Sequence, residues 1–162
     1  MSFAQEDYDR LNALALEFVR AGRGEDVLPP ELSAKALPAV PLYARRWLSL
    51  ASPGPQHEGE DDMFSSDLSD ARLASSFGKV GATGVPICIL YGGADEYVPG
   101  YVDKDALVGR WVRAVREGGG RVDEGSGVLK GVGHTMAEGG YGREEFLRRV
   151  VGFLGRVEEG VP

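Results

Sequence analysis

Cysteine is nearly absent from these 162 residues: Cys88 stands alone. No internal disulfide can form, so packing has to hold the fold, and the compartment is left open with the cytosol favoured. Positive charge is short as well. Eighteen Lys and Arg against 25 Asp and Glu give a net charge of −7 and a pI near 4.9. That balance argues against nucleic acid or an anionic membrane surface as a partner. No apolar run approaches the roughly 20 residues of a membrane span. The opening residues, Met1-Ser2-Phe3-Ala4-Gln5-Glu6-Asp7, lack the basic and apolar regions of a signal peptide.

What is present fits a soluble globular chain, with 43% apolar and 27% charged residues. The first half reads as helical. Tyr8, Leu11, Ala15, Phe18 and Val19 share a face of a helix over 6–21, which Gly22 and Gly24 end. Pro29-Pro30 breaks the chain before a weaker helical stretch, and a further helix is expected from Val40 to Leu50. Residues 51–62 combine turn formers with a charge run and read as an exposed loop. Asp67 or Ser69 would cap a short helix through Phe77, with Gly78 as its stop.

The rhythm changes over 81–162. A buried strand is expected at 85–91, then a helix from Asp103 to Glu117 with Leu107, Val108, Trp111, Val112 and Val115 inward, ended by Gly118-Gly119-Gly120. A second strand should cover 126–130, and a last helix Arg143 to Val157, with Phe146, Leu147, Val150, Val151 and Leu154 inward. Strand–helix–strand–helix implies a parallel pair joined by a right-handed crossover.

Each strand leads into a loop with chemistry in it: Tyr91-Gly92-Gly93-Ala94-Asp95-Glu96-Tyr97-Val98-Pro99 after the first, Gly131-Val132-Gly133-His134 after the second. Both loops would sit at the carboxyl ends of adjacent parallel strands, where open α/β sheets place their sites. A carboxylate after one strand and a histidine after the next is how α/β-hydrolases present the acid and base of a catalytic triad. There the acid fixes the imidazole tautomer and the imidazole takes the nucleophile's proton. Asp95 is the candidate acid and His134 the candidate base; Glu96 is the competing acid, in a less typical position. Pro99 and Gly100 would shape the turn that aims Asp95. By the same rule the nucleophile belongs earlier, in a Gly-x-Ser-x-Gly turn, and no serine here is flanked in that way.

The remaining chemistry-bearing residues have plain readings. Cys88, centred in an apolar strand, is a small core residue. His57 with Glu58, Glu60, Asp61 and Asp62 could be arranged around a metal, but such charge runs are ordinarily solvated. The glycines at 118–120 and 139–142 lack the strand–Gly–helix context of a phosphate loop. No cofactor is expected.

Three segments carry a family resemblance: Arg45 to Pro53 (Arg-Arg-Trp-Leu-Ser-Leu-Ala-Ser-Pro), Asp62-Met63-Phe64-Ser65-Ser66-Asp67-Leu68, and Tyr91 to Pro99 with Val102-Asp103-Lys104. They resemble a fungal family of α/β-hydrolase-fold proteins, mostly uncharacterised, that includes siderophore-ester hydrolases. The resemblance spans nearly the whole chain. It implies an α/β fold corresponding to the C-terminal part of that family's fold: a helical lid-like region over 1–80, then, over 81–162, two parallel strands with a crossover helix and a C-terminal helix. It matches Asp95 to the triad acid and His134 to the triad base, and places the serine elbow and oxyanion-hole segment upstream of this chain.

Acid and base without nucleophile cannot run acyl transfer by the usual route. The chain is therefore expected to be of serine-esterase ancestry, acting on small organic esters only if completed, and inactive by itself. Two other readings stay open. One is an active hydrolase whose nucleophile comes from another chain or from Ser65, Ser66 or Ser126. The other is a binding module whose acidic loop at 57–62 steers a basic partner. An incomplete sheet would leave a strand edge unpaired, exposing Ile87, Ile89 and Val128 and favouring self-association.

Overall fold

The computed structural model describes residues 5–51, 59–98, 100–135 and 140–160. The chain divides into two compact units, Met1–Leu68 and Ser69–Pro162.

The first unit is helical. Helices α1 (Gln5–Arg20), α2 (Pro30–Ala36) and α3 (Ala44–Leu50) surround a core of Leu11, Ala15, Leu28, Leu42, Ala44 and Trp47. Asn12, buried on α1, accepts a hydrogen bond from Trp47 Nε1 at 2.8 Å, so the indole enters the core with its donor satisfied. The helix expected from Val40 begins only at Ala44. Pro41 biases Val40 toward extended backbone, and the segment is used as a strap: Leu28 N–H donates to Leu42 O at 2.8 Å and Val27 pairs with Tyr43. Glu60–Phe64 form a 3₁₀ turn in which the buried Asp62 carboxylate accepts from Gly59 N–H. His57 and Glu58, of the acidic loop, lie outside the described residues.

In the second unit Ser69 Oγ accepts from Arg72 N–H and caps α4 (Asp70–Leu73). The expected stop at Gly78 does not occur: a π-helical turn over Ala74–Gly78 runs on into α5 (Lys79–Gly81). Gly78, inside this helical stretch, and Gly81, at its end, both serve close approach to the crossover helix. A Cβ on Gly81 would fall 2.1 Å from Val115 O, and one on Gly118 2.1 Å from Gly78 O. The whole helical stretch 69–81 therefore packs with the second unit, and the division falls at Leu68, short of the expected position 80.

Strands β1 (Leu90–Gly92) and β2 (Gly127–Leu129) pair in parallel, Tyr91 opposite Val128. Both are shorter than expected. Pro86 has no N–H to give a ladder, and Ile89 N–H goes to the Ser126 hydroxyl at 3.0 Å, so upstream only Ile87 bridges, to Val122. Helix α6 (Lys104–Glu117), capped by Asp103 Oδ1 on Ala106 N–H, makes the crossover. It buries Leu107, Val108, Trp111, Ala114 and Val115, with Trp111 stacked on Phe77 and edge-on to Tyr91. The result is a partial α/β fold: among the described residues the sheet holds two parallel strands, order β1–β2.

Helix α7 (Tyr141–Glu158) differs from its expected packing. Leu147, Val151 and Leu154, read as inward, are 48%, 66% and 53% exposed. Ile87, Ile89 and Val128, read as exposed, are half-buried. Phe146, Val150 and Phe153 are half-buried, and an ion pair adds to them: Arg156 holds the buried Asp123 in a bidentate pair, Nε to Oδ2 at 2.7 Å and Nη2 to Oδ1 at 2.8 Å. No helix among the described residues is long and apolar enough to cross a membrane.

Candidate active site

The loops that follow β1 and β2 are fastened to each other by backbone. Gly93 N–H donates to Leu129 O and Ala94 N–H to Val132 O, both at 2.9 Å. The approach is close enough that a Cβ on Gly92 would lie 2.8 Å from Gly133 O, and one on Gly93 2.9 Å from Leu129 O. Two side-chain-free residues are what the two loops need to share one ridge of backbone.

On that ridge Asp95 and His134, 39 positions apart in sequence, meet: His134 Nδ1 lies 2.9 Å from Asp95 Oδ2. The acid's side chain is 11% exposed and the imidazole 56%. With Asp95 ionised, Nδ1 carries the hydrogen and donates it, which leaves Nε2 as the free acceptor on the more open part of the ring. Asp95 Oδ1 accepts from Tyr97 N–H at 3.0 Å, so the second carboxylate oxygen is held too. Pro99 lies outside the described residues.

Glu96, the competing acid, is not on the ring. Its Oε2 accepts from the backbone N–H of His134 at 3.1 Å. Its own N–H and that of His134 hold its carboxyl below the usual glutamate range. The Tyr97 ring stands edge-on to the imidazole, centroids 4.9 Å apart. Lys104, from the first turn of α6, donates Nζ to the carbonyls of Gly93 (3.0 Å) and Asp95 (3.2 Å) and braces the acid loop from behind. None of these three was singled out from the sequence for such a task. The one available signal is that Glu96, Tyr97 and Lys104 all fall within the segments that carry the family resemblance.

The other candidates read from the sequence are accounted for as follows. Ser126 precedes β2 whereas His134 follows it, so a strand separates them, and the Ser126 hydroxyl is engaged with Ile89 N–H. Ser65 and Ser66 belong to the first unit. Burial pushes the Cys88 thiol up, away from the thiolate a nucleophile needs. Burial, and next the charge of Asp95, push the Tyr91 phenol up.

A family model described as "Protein of unknown function (DUF1749)" matches residues 1–155. Fusarinine C esterase sidJ of Aspergillus fumigatus is 39% identical over 91% of this chain and 45% of its own length. Esterase AN6793 of Emericella nidulans is 39% identical over 94% of this chain and 40% of its own. The solved structure of siderophore hydrolase EstB from Aspergillus fumigatus superposes with a TM-score of 0.76 at 35% identity, covering 93% of this chain and 48% of that one. The chain thus spans less than half the length of these relatives. The folds agree and the relatives are named as hydrolases: this chain belongs to the DUF1749 family, a fungal hydrolase-fold family.

Proposed function

We propose that Asp95 and His134 are the acid and base of a serine-esterase-type site, and that these 162 residues supply that pair without its nucleophile. The observation that carries the reading is the 2.9 Å contact between His134 Nδ1 and Asp95 Oδ2 on adjoining strand-end loops. Asp95 would fix the Nδ1–H tautomer and stabilise the imidazolium. Nε2 would take the proton of a serine hydroxyl as it attacks an ester carbonyl, then return it to the departing alcohol. The substrate class is small organic esters. The names of the relatives support siderophore esters among them.

Absence of any Gly-x-Ser-x-Gly turn supports the second half of the reading: the isolated chain does not turn over esters, and a polypeptide that brings a serine elbow completes it. The test is fluorophosphonate labelling of the folded chain, with His134→Ala as control. No labelled serine is the expected result. One labelled serine that disappears in the control would show a working nucleophile within these residues and overturn the incomplete-site reading.

A further inference from the structure

The residue after the acid makes the contact that sequence spacing does not announce. Glu96 and His134 are 38 positions apart, yet the glutamate carboxylate closes on the histidine's own backbone N–H at 3.1 Å. An exposed carboxylate has water as an alternative partner, and its side chain gives up rotamer freedom to stay on one amide. Its neighbours engage the same group. Asp95 Oδ2 takes the ring at Nδ1, Tyr97 stands edge-on against the ring, and Tyr97 N–H occupies the remaining Asp95 oxygen. Three consecutive residues of one loop therefore fix three features of one histidine: the place of its backbone, its ring nitrogen and its ring face.

We infer that Glu96 is a positioning residue for His134: by accepting the His134 N–H it fixes the start of that side chain, so that the ring lies where Asp95 can hold Nδ1. This rests on the acid–base reading of the pair. A imidazole linked to its acid by one hydrogen bond can swing about χ1 and χ2 when its backbone shifts. A backbone pinned to the acid's own loop moves with the acid. The carboxyl, held below its usual range by the two N–H groups that it accepts, keeps its charge where a glutamate without those bonds would begin to protonate. Glu96 does not touch a reacting atom in this account; its effect passes entirely through His134.

The experiment is NMR on the full chain, reading two things at a pH where the imidazole is neutral. The first is hydrogen exchange of the His134 amide. The second is the His134 ring: which nitrogen carries the hydrogen, and how fast the Nδ1 hydrogen exchanges. Glu96→Ala should speed amide exchange about tenfold, as expected for loss of one hydrogen bond to an ionised acceptor. It should also shift the ring from Nδ1–H toward a mixture of tautomers. Glu96→Gln keeps an oxygen acceptor and should restore both. A merely structural glutamate would change thermal stability without moving the tautomer.

The inference is overturned if Glu96→Ala loosens the amide while the ring keeps its Nδ1 hydrogen as in the parent chain. It is also overturned if Glu96→Gln fails to restore the ring. Asp95→Asn separates the two levels. If that change leaves the ring of the parent chain unaltered, the acid–base reading fails first and Glu96 has nothing to position.

Discussion

Helix α6 sends Trp111 between Phe77 and Tyr91, whereas α7 leaves Val151 two-thirds exposed. Both helices carry apolar residues at steps of three and four, so in sequence both declare a buried stripe. Only α6 has its stripe covered. It crosses over the sheet from β1 to β2 and is sealed on its far side by the α4–α5 stretch, while α7 is anchored through Arg156 on Asp123 and Arg149 on Gly125 O. Periodicity specifies a helix and the face that wants burial; what covers that face is decided by partners elsewhere in the fold.

The sharpest way to break that comparison is to truncate both stripes. Trp111→Ala should cost about 3–5 kcal/mol, the usual loss for removing a large buried aromatic. Leu154→Ala on α7 should stay within about 0.5 kcal/mol, as for a surface position. Urea unfolding read by circular dichroism gives both values. A loss at Leu154 that matches the loss at Trp111 would mean that the α7 stripe is covered in solution.

Acid should separate the helices next, because α7 is held by Arg156 on the buried Asp123, whereas the ion pair of α6, Arg110 with Asp70, is exposed and adds to a buried apolar stripe. Glu145, in the first turns of α7, is held down to about 2 by Arg148 and then Arg149, and the Arg156 guanidinium holds the Asp123 carboxyl below its ordinary range. Both folded values lie below the unfolded ones, 4.5 and 3.8. The stabilisation is therefore complete above about 4.5 and lost as pH falls through the folded values. Hydrogen exchange followed from about pH 6 to about pH 3, corrected for intrinsic rate, should show α7 amides losing protection before those of α6. Arg156→Leu should reproduce that selective loss near neutral pH. Equal loosening of both helices by acid would show that the Arg156–Asp123 pair does not anchor α7.

The same contrast explains what the sequence discloses about the site. Asp95 and His134 could be picked out because each follows a strand, and strand ends at one edge of a parallel pair come together whatever the loops contain. The crossover helix between them was legible for a related reason: Asp103 caps it, glycines end it, and its buried stripe runs from Leu107 to Val115. Glu96 and Lys104 were not legible, because their partners are backbone groups, and an amide or a carbonyl has no letter. The Gly78 stop misled for a comparable reason. A helix-ending glycine and a helix-packing glycine look alike until the partner, here the backbone of Gly118, is in place. Ser126 shows the rule in the other direction: a hydroxyl that substitutes for a ladder acceptor shortens a strand that composition alone would have continued to Val85.

Glycine gives the finest test of covered against uncovered helix, since one added methyl group probes contact without removing anything. On α5, Gly81→Ala places its Cβ 2.1 Å from Val115 O of α6, and backbone cannot yield as a flexible side-chain tip can. The helices must move apart, at about 1–3 kcal/mol, the ordinary cost of overpacking. On α7, a Cβ at Gly155 meets nothing within 4 Å. There the same substitution only removes conformational freedom from the unfolded chain and should stabilise by about 0.5 kcal/mol. Opposite signs from one chemical change, read as opposite shifts in Tm, follow only if the α6 face is packed and this side of α7 is open. A destabilising Gly155→Ala would place a second surface against α7 at that position, and the contrast between the two helices would then hold for Val151 and Leu154 but not for the helix as a whole.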